Sequence, residues 1–200
     1  MIWLTADGHF GHENIIKYEH RPFSSVEEMD RVLIRNINDL VGPDDELWYL
    51  GDFTMERNFG YVRDYREQIE CHNIHFIRGN HDRDFSQAGV FSSWADYAEI
   101  GRLARDGYMA CLSHYPYLSW NRMLYGTIMC HGHIHSQPEY NERNRAMGVR
   151  RYDVGVDANN FRPVALEDIV EFFADTEPLG YDGDDERFLS FDVEDTSNLL

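Results

Sequence analysis

The chain has almost no lysine. Lys17 stands alone beside seventeen arginines, and these cations face 36 acidic residues, for a formal net charge of −18. A surface this negative repels nucleic acid and anionic membranes at long range, which disfavours both as partners. It does not exclude a small anionic substrate, because cations held in a cleft would set the local field there. Two divalent ions add four charges and still leave the chain at −14. Cysteine is scarce too: Cys71, Cys111 and Cys130 are odd in number, widely spaced and form no CxxC pair. That pattern supports neither a zinc knuckle nor a redox motif; buried free thiols in a reducing compartment are expected. No apolar run approaches the roughly 18 residues of a membrane span. The first residues carry no basic n-region and run at once into a motif, so 1–6 reads as a core strand and not a signal peptide. A cytoplasmic location follows as the expectation.

What is present suits one globular domain. Two hundred residues at 42% hydrophobic content can bury a full core. The first 80 residues read as β-α-β-α-β. Strands are expected over 1–6, 46–50 and 73–78, and each runs into a short polar motif. Ser25 followed by Glu28 gives a capping-box pattern, and Val26, Met29, Leu33, Ile37 and Leu40 continue at helical spacing up to Gly42-Pro43. A second helix is expected over 59–69, with Tyr61, Val62, Tyr65 and Ile69 on one face. This is the pattern of an open α/β sheet whose site lies at the carboxyl ends of its strands. The second half reads as strands at 97–103, 108–113, 127–130 and 152–156, then a helix at 166–173, so a second sheet should pack on the first. Residues 1–174 form the expected domain. Residues 175–200 carry nine acids and one arginine and read as a flexible acidic tail, with Phe188, Leu189, Phe191 and Val193 as the alternative anchors of a docked segment.

Four short signals fall in order: Asp7-Gly8-His9, Gly51-Asp52, Gly79-Asn80-His81-Asp82 and Gly132-His133-Ile134-His135. A lone His114 sits between the last two. On a strand, residues two apart point to the same side, so Asp7 and His9 would offer one oxygen and one nitrogen together. A carboxylate after a glycine turn, Asp52, has two oxygens and can bridge two cations. Asn80 offers a neutral amide oxygen. Together the motifs supply two carboxylates, one amide and four imidazoles, with His81 left over. That set can hold two divalent metals roughly 3.5–4 Å apart, the spacing of two-metal phosphoryl-transfer sites.

The signals D-x-H, G-D, G-N-H-[DE], H and G-H-x-H, in this order over about residues 1–160, resemble the signature of the calcineurin-like metallophosphoesterase superfamily, in a compact form. The resemblance implies a two-sheet β-sandwich flanked by helices. It implies one metal on Asp7, His9, Asp52 and His135, and another on Asp52, Asn80, His114 and His133, with Asp52 as the bridge. It implies that His81 protonates the leaving oxygen or steadies the transferring phosphoryl group. Mixed imidazole and carboxylate ligands favour Mn, Fe, Co, Ni or Zn over Mg, and manganese is the first choice. His12, Arg78 and Arg83 are candidates for contact with substrate, although His12 with Glu13 and Asn14 also reads as a helix start. Asp157 is placed to back a ligand histidine. Met55 stands where the protein-phosphatase branch has the aspartate that orients its catalytic histidine, which argues against that branch; Glu56 and Asp82 are the candidates to orient His81 here.

The resulting expectation is a dinuclear-metal-dependent phosphoesterase acting on small phosphodiesters or phosphomonoesters. A nuclease is the second enzymatic reading, weakened by the missing basic patch. A non-catalytic interaction scaffold of the same fold is the reading from another class; it predicts eroded ligands, and none is eroded here.

Overall fold

The computed structural model of the chain describes residues 1–101 and 107–177. In chain order the elements are β1 (Ile2–Thr5), α1 (Glu13–Tyr18), α2 (Val26–Leu40), β2 (Glu46–Tyr49), α3 (Phe59–Glu67), β3 (Asn73–Ile77), β4 (Ser93–Ala95), β5 (Tyr97–Gly101), β6 (Met109–Ser113), β7 (Ile128–His131), α4 (Glu139–Ala146), β8 (Arg151–Asp153), β9 (Val164–Ala165) and α5 (Leu166–Phe172). They build a mixed α/β fold around two sheets, ordered β4-β3-β2-β1-β9 and β5-β6-β7-β8. In the first sheet β1 to β4 are parallel neighbours and β9 pairs antiparallel with β1. In the second, β5 is antiparallel to β6, while β6, β7 and β8 run parallel.

The period-2 alternation of each strand sorts its side chains into separate cores. On β2, Leu47 and Tyr49 face the helices, where Met29, Leu33 and Ile37 of α2 and Val62 of α3 cover them. Trp48 and, just past the strand, Leu50 face the other way, with Leu4 of β1, and meet Ala110, Leu112, Ile128 and Cys130 of the second sheet. Cys111 and Met129 alternate to the far face and pack with Trp120, Met123 and Val149. The helix–sheet–sheet layering follows from this alternation. It brings the carboxyl ends of β1, β2 and β3 beside those of β6 and β7.

The capping at α2 departs slightly from the expected reciprocal box. Ser25 Oγ accepts from Glu28 N–H, but the Glu28 carboxylate reaches back to Ser24 instead. Helix α3 stops at Glu67, short of the expected 69; Val62 is buried on it and Ile69 just beyond it, whereas Tyr61 is exposed. Helix α4 and strands β4 and β9 were not anticipated. Strand 97–103 ends at Gly101 among the described residues, and 102–103 lie outside them. Within the expected tail, Thr176 is buried and its carbonyl accepts from Arg150 Nη2 at 2.6 Å. Residues 178–200, including the candidate anchors Phe188, Leu189, Phe191 and Val193, lie outside the described residues. All three cysteines are free and buried. Among the described residues no helix is long and apolar enough to cross a membrane.

Candidate metal centre

Each motif begins where a strand stops. β1 ends at Thr5, β2 at Tyr49, β3 at Ile77 and β7 at His131. The candidate ligands therefore lie in the loops beyond the strands. This corrects the alternation argument for Asp7 and His9: they do not share a side because they sit on a strand. Asp7 (φ 59°), His9 (φ 52°), Asp52 (φ 53°), His133 (φ 76°) and His135 (φ 46°) all adopt the left-handed region. They are five of the nine non-glycine residues that do so among those described. Such a conformation costs roughly 1–3 kcal/mol for a residue with a side chain, and it persists only where surroundings over-determine it. Here it aims the side chains at one point. Two motif glycines permit the crowding that results. A Cβ on Gly79 would collide with the Asp52 carboxylate, and one on Gly132 would collide with the Asp7 carboxylate.

The side chains converge in two groups, Asp7–His9–His135 and Asp52–His114–His133, each with donor atoms within 4.8 Å of one another. Asp52 joins them. Its Oδ2 lies 3.5 Å from His9 Nε2 and 3.5 Å from His114 Nε2. Its Oδ1 accepts the His81 backbone N–H at 2.9 Å, which fixes the carboxylate plane. His9 Nε2 and His135 Nε2 face each other at 3.2 Å, and Asn80 Oδ1 lies 2.9 Å from His114 Nε2. Both Asp7 oxygens accept the His133 backbone N–H, so the first and last motifs lock together.

The electrostatics fit a cation. Burial pushes the Asp7 carboxyl up to about 7, against the pull of His135 and His114. His114 and His135 are each raised to about 9. Burial opposes their charge, but the bond to Asp52 on one, the bond to Asp157 on the other and the Asp7 carboxylate near both outweigh it. Burial alone would raise Asp52, yet its hydrogen bonding and proximity to His114, together with His9 and the His81 N–H, hold it well below the usual carboxylate range. Burial pushes His9 and His133 down. Imidazoles and carboxylates ligate a cation only in their deprotonated forms, so cation binding at such a site depends on pH. Imidazoles and carboxylates in this ratio suit a first-row transition metal.

The comparisons with known proteins agree with this geometry. The family model described as calcineurin-like phosphoesterase matches residues 1–194. The chain belongs to the calcineurin-like phosphoesterase family. It is 36% identical over 178 residues to an uncharacterized protein of Methanocaldococcus jannaschii, covering 85% of this chain and 89% of that one. It is 28% identical over 190 residues to the gene 66 protein of Mycobacterium phage L5, covering 78% and 86%. A crystal structure of a protein of unknown function from Aquifex aeolicus shares the fold with a TM-score of 0.66 at 24% identity, covering 86% of this chain and 98% of that one.

Around this phosphoesterase-family centre the other candidate residues fall in different places. His81 is open to solvent, its ring edge against His9 at 5.4 Å between centroids and its Nε2 3.9 Å from Asp52 Oδ2. Asp82 does not orient it. Both Asp82 oxygens are taken by the backbone N–H groups of Asp52, Phe53 and Gly79, so Asp82 ties two motif loops together. Glu56 lies by Gly11. His12 precedes α1 as its N-cap, as the helix-start reading expected, and its ring also lies 5.5 Å from that of His9. Arg78 pairs with Asp96 at 3.0 Å, and Arg83 is exposed. Asp157 backs His135, accepting from Nδ1 at 2.7 Å. Sequence reasoning missed Arg21, which grips Asp157 with two nitrogens, and Asp153, which holds Ser136 and Gly155. Neither carried a signal along the chain, since Arg21 sits outside every motif and Asp153 looks like one more strand residue.

Proposed function

We propose that the chain is a dinuclear-metal-dependent phosphoesterase hydrolysing small phosphodiesters or phosphomonoesters. The supporting observation is the position of Asp52 Oδ2, equidistant from His9 Nε2 and His114 Nε2 at 3.5 Å. One carboxylate oxygen is thereby offered to two ligand sets at once. The site would be held by Asp7, His9, Asp52 and His135 on one side and by Asp52, Asn80, His114 and His133 on the other. Two divalent cations, when bound, supply Lewis-acid charge and make water nucleophilic near neutral pH. Manganese is our first choice, with Fe, Co, Ni and Zn as alternatives, because imidazole ligands are uncommon for magnesium.

The chain's own residues then bind and orient. His114 donates from Nδ1 to the Leu50 carbonyl at 2.8 Å, which leaves Nε2 as the ligand atom. His135 donates from Nδ1 to Asp157, which frees its Nε2 in the same way. His81 is the exposed imidazole at the mouth and would give its proton to the departing alkoxide. The exposure of Asn80 and His81 leaves the centre open on that side, which suits small substrates. A net charge of −18 weighs against nucleic acid as substrate. Three buried free thiols suit a reducing cytoplasm.

The test is a panel of phosphomonoesters, linear and cyclic phosphodiesters and short oligonucleotides, each assayed with Mn, Mg, Ni and Zn. We expect turnover of a small ester that chelation abolishes and Mn restores. Metal binding with no turnover of any ester would favour a scaffold, and full activity after metal stripping would refute the reading.

A further inference from the structure

Tyr115 follows the candidate ligand His114 just beyond the carboxyl end of β6. Its ring lies 4.7 Å from that of His133 and 5.1 Å from that of His114 between centroids, with the planes inclined at 64° and 74°. Neither imidazole lies flat on it, and 43% of the residue stays exposed. Of the tyrosines and phenylalanines left exposed among the described residues, it is the one whose ring meets a candidate metal ligand. The ring is also held in place. Pro116 restricts the backbone of the residue before it, and the Tyr115 N–H donates to Ser113 Oγ at 3.2 Å. Two residues on, Tyr117 stacks on Tyr97 of β5 at 6.1 Å. A lone exposed tyrosine on a surface needs no explanation. One fixed against two candidate ligands borders the space a substrate must enter.

His81, the proton donor of the proposed reaction, packs on the other ligand group, its ring 5.4 Å from that of His9 between centroids. The departing ester arm belongs beside His81. An arm beside Tyr115 is therefore the one that stays on phosphorus, and only a diester has such an arm. What a phenol ring offers an organic arm is stacking, which favours a flat ring over a puckered one of similar size. We propose that Tyr115 is a specificity-determining residue of this site, and that the substrates are phosphodiesters whose retained arm carries a planar aromatic ring, either an aryl group or a nucleobase. This rests on the phosphoesterase reading above. Water adds across the bond from phosphorus to the arm at His81. Its oxygen joins phosphorus, and that arm leaves as an alcohol with the proton from His81, which a water proton restores. The ring-bearing arm remains in the monoester product.

The experiment uses the full chain loaded with Mn and a set of p-nitrophenyl phosphodiesters that share one leaving group. Their retained arms are methyl, cyclohexylmethyl, benzyl and thymidine. Benzyl, thymidine or both should exceed cyclohexylmethyl in kcat/KM by about 3–10-fold, the range expected of an aromatic pair. Which of the two gains tells an aryl ring from a nucleobase. Tyr115→Phe should keep that preference, and Tyr115→Leu, still apolar but not planar, should reduce it to below about twofold. The ratio is the readout because lost packing on His133 would slow every ester alike. Calorimetry gives the same comparison without turnover: the non-hydrolysable phosphonate of the preferred arm should bind more tightly than cyclohexylmethylphosphonate to wild type and to Tyr115→Phe, and equally to Tyr115→Leu. No planar arm exceeding cyclohexylmethyl in wild type, a preference that survives Tyr115→Leu, or faster hydrolysis of p-nitrophenyl phosphate than of every diester would each overturn the inference. Turnover of no ester at all would instead sink the phosphoesterase reading on which it stands.

Discussion

Asp82 Oδ2 accepts the backbone N–H of Asp52 at 2.7 Å, while Asp52 Oδ1 accepts the backbone N–H of His81 at 2.9 Å. The two carboxylates therefore cross-link the Gly51-Asp52 and Gly79–Asp82 loops in both directions. Asp82 also takes the N–H groups of Phe53 and Gly79. Replacing Asp82 by alanine leaves three buried donors without an acceptor, each worth roughly 1–3 kcal/mol. With partial relaxation the expected loss is about 3 kcal/mol, a fall of roughly 6–12 °C in Tm for a chain of this size. A thermal melt checks it, and a change under about 2 °C would show that the loops do not depend on Asp82.

Asp52 serves both ligand groups, so Asp52→Asn should be the most damaging single ligand change. It removes a charge from both sites while keeping the shape. We expect the number of Mn ions retained per chain to fall and activity to drop further than for His9→Ala or His133→Ala. If metal content falls no further than in those variants, Asp52 does not bridge.

His81 should matter in proportion to how poor the leaving group is. His81→Ala should slow alkyl phosphodiesters by roughly 10²–10⁴-fold, the usual span for a general acid, and p-nitrophenyl esters much less. Metal content should not change, because none of the close donor–donor contacts within either group involves the His81 ring. Equal loss on both substrates would assign His81 to charge stabilisation instead of proton transfer.

Asp30 gives a stability effect that depends on pH. Its carboxylate accepts Gly11 N–H and Tyr65 O–H, yet burial raises its pKa to about 6 from the ordinary 3.8. Between those values the unfolded chain has lost this proton and the folded chain has kept it, so stability falls as pH rises toward 6 and then levels. Asp30→Asn removes the titration and keeps an acceptor. The variant should therefore gain on wild type from pH 4 to pH 7, by about 1 kcal/mol because solvent reaches part of the group and limits the effect. Urea denaturation at several pH values measures the gap, and a gap that narrows with rising pH would contradict the assignment.

The ligand types were legible because each carries its chemistry in its own side chain. Asp7, His9, Asp52, Asn80, His114, His133 and His135 stood out by residue type, order and glycine neighbours, and the structure brings all seven to one place. Helix α2 was legible because its apolar spacing and Ser25 are local. So were β2, β3 and β6, whose apolar runs alternate between two cores. Helix α4 was not, because its buried face is made of Tyr140, Asn141 and Asn144 instead of aliphatic residues. The Asn141 amide pairs with the backbone of Asp153 and so extends the sheet edge, a role that no hydrophobic period announces.

By itself, then, the sequence determined which atoms are available to bind cations and roughly where the chain turns to present them. Only the tertiary structure decided how they are held. The left-handed conformations at Asp7, His9, Asp52, His133 and His135 run against local preference and exist because long-range contacts impose them. Arg21 and Asp157 are 136 positions apart, and their ion pair forms only after the segment following β8 returns beside β1. A guanidinium in a loop carries no sign of its partner along the chain. Its importance comes from burial, which is a property of the folded molecule.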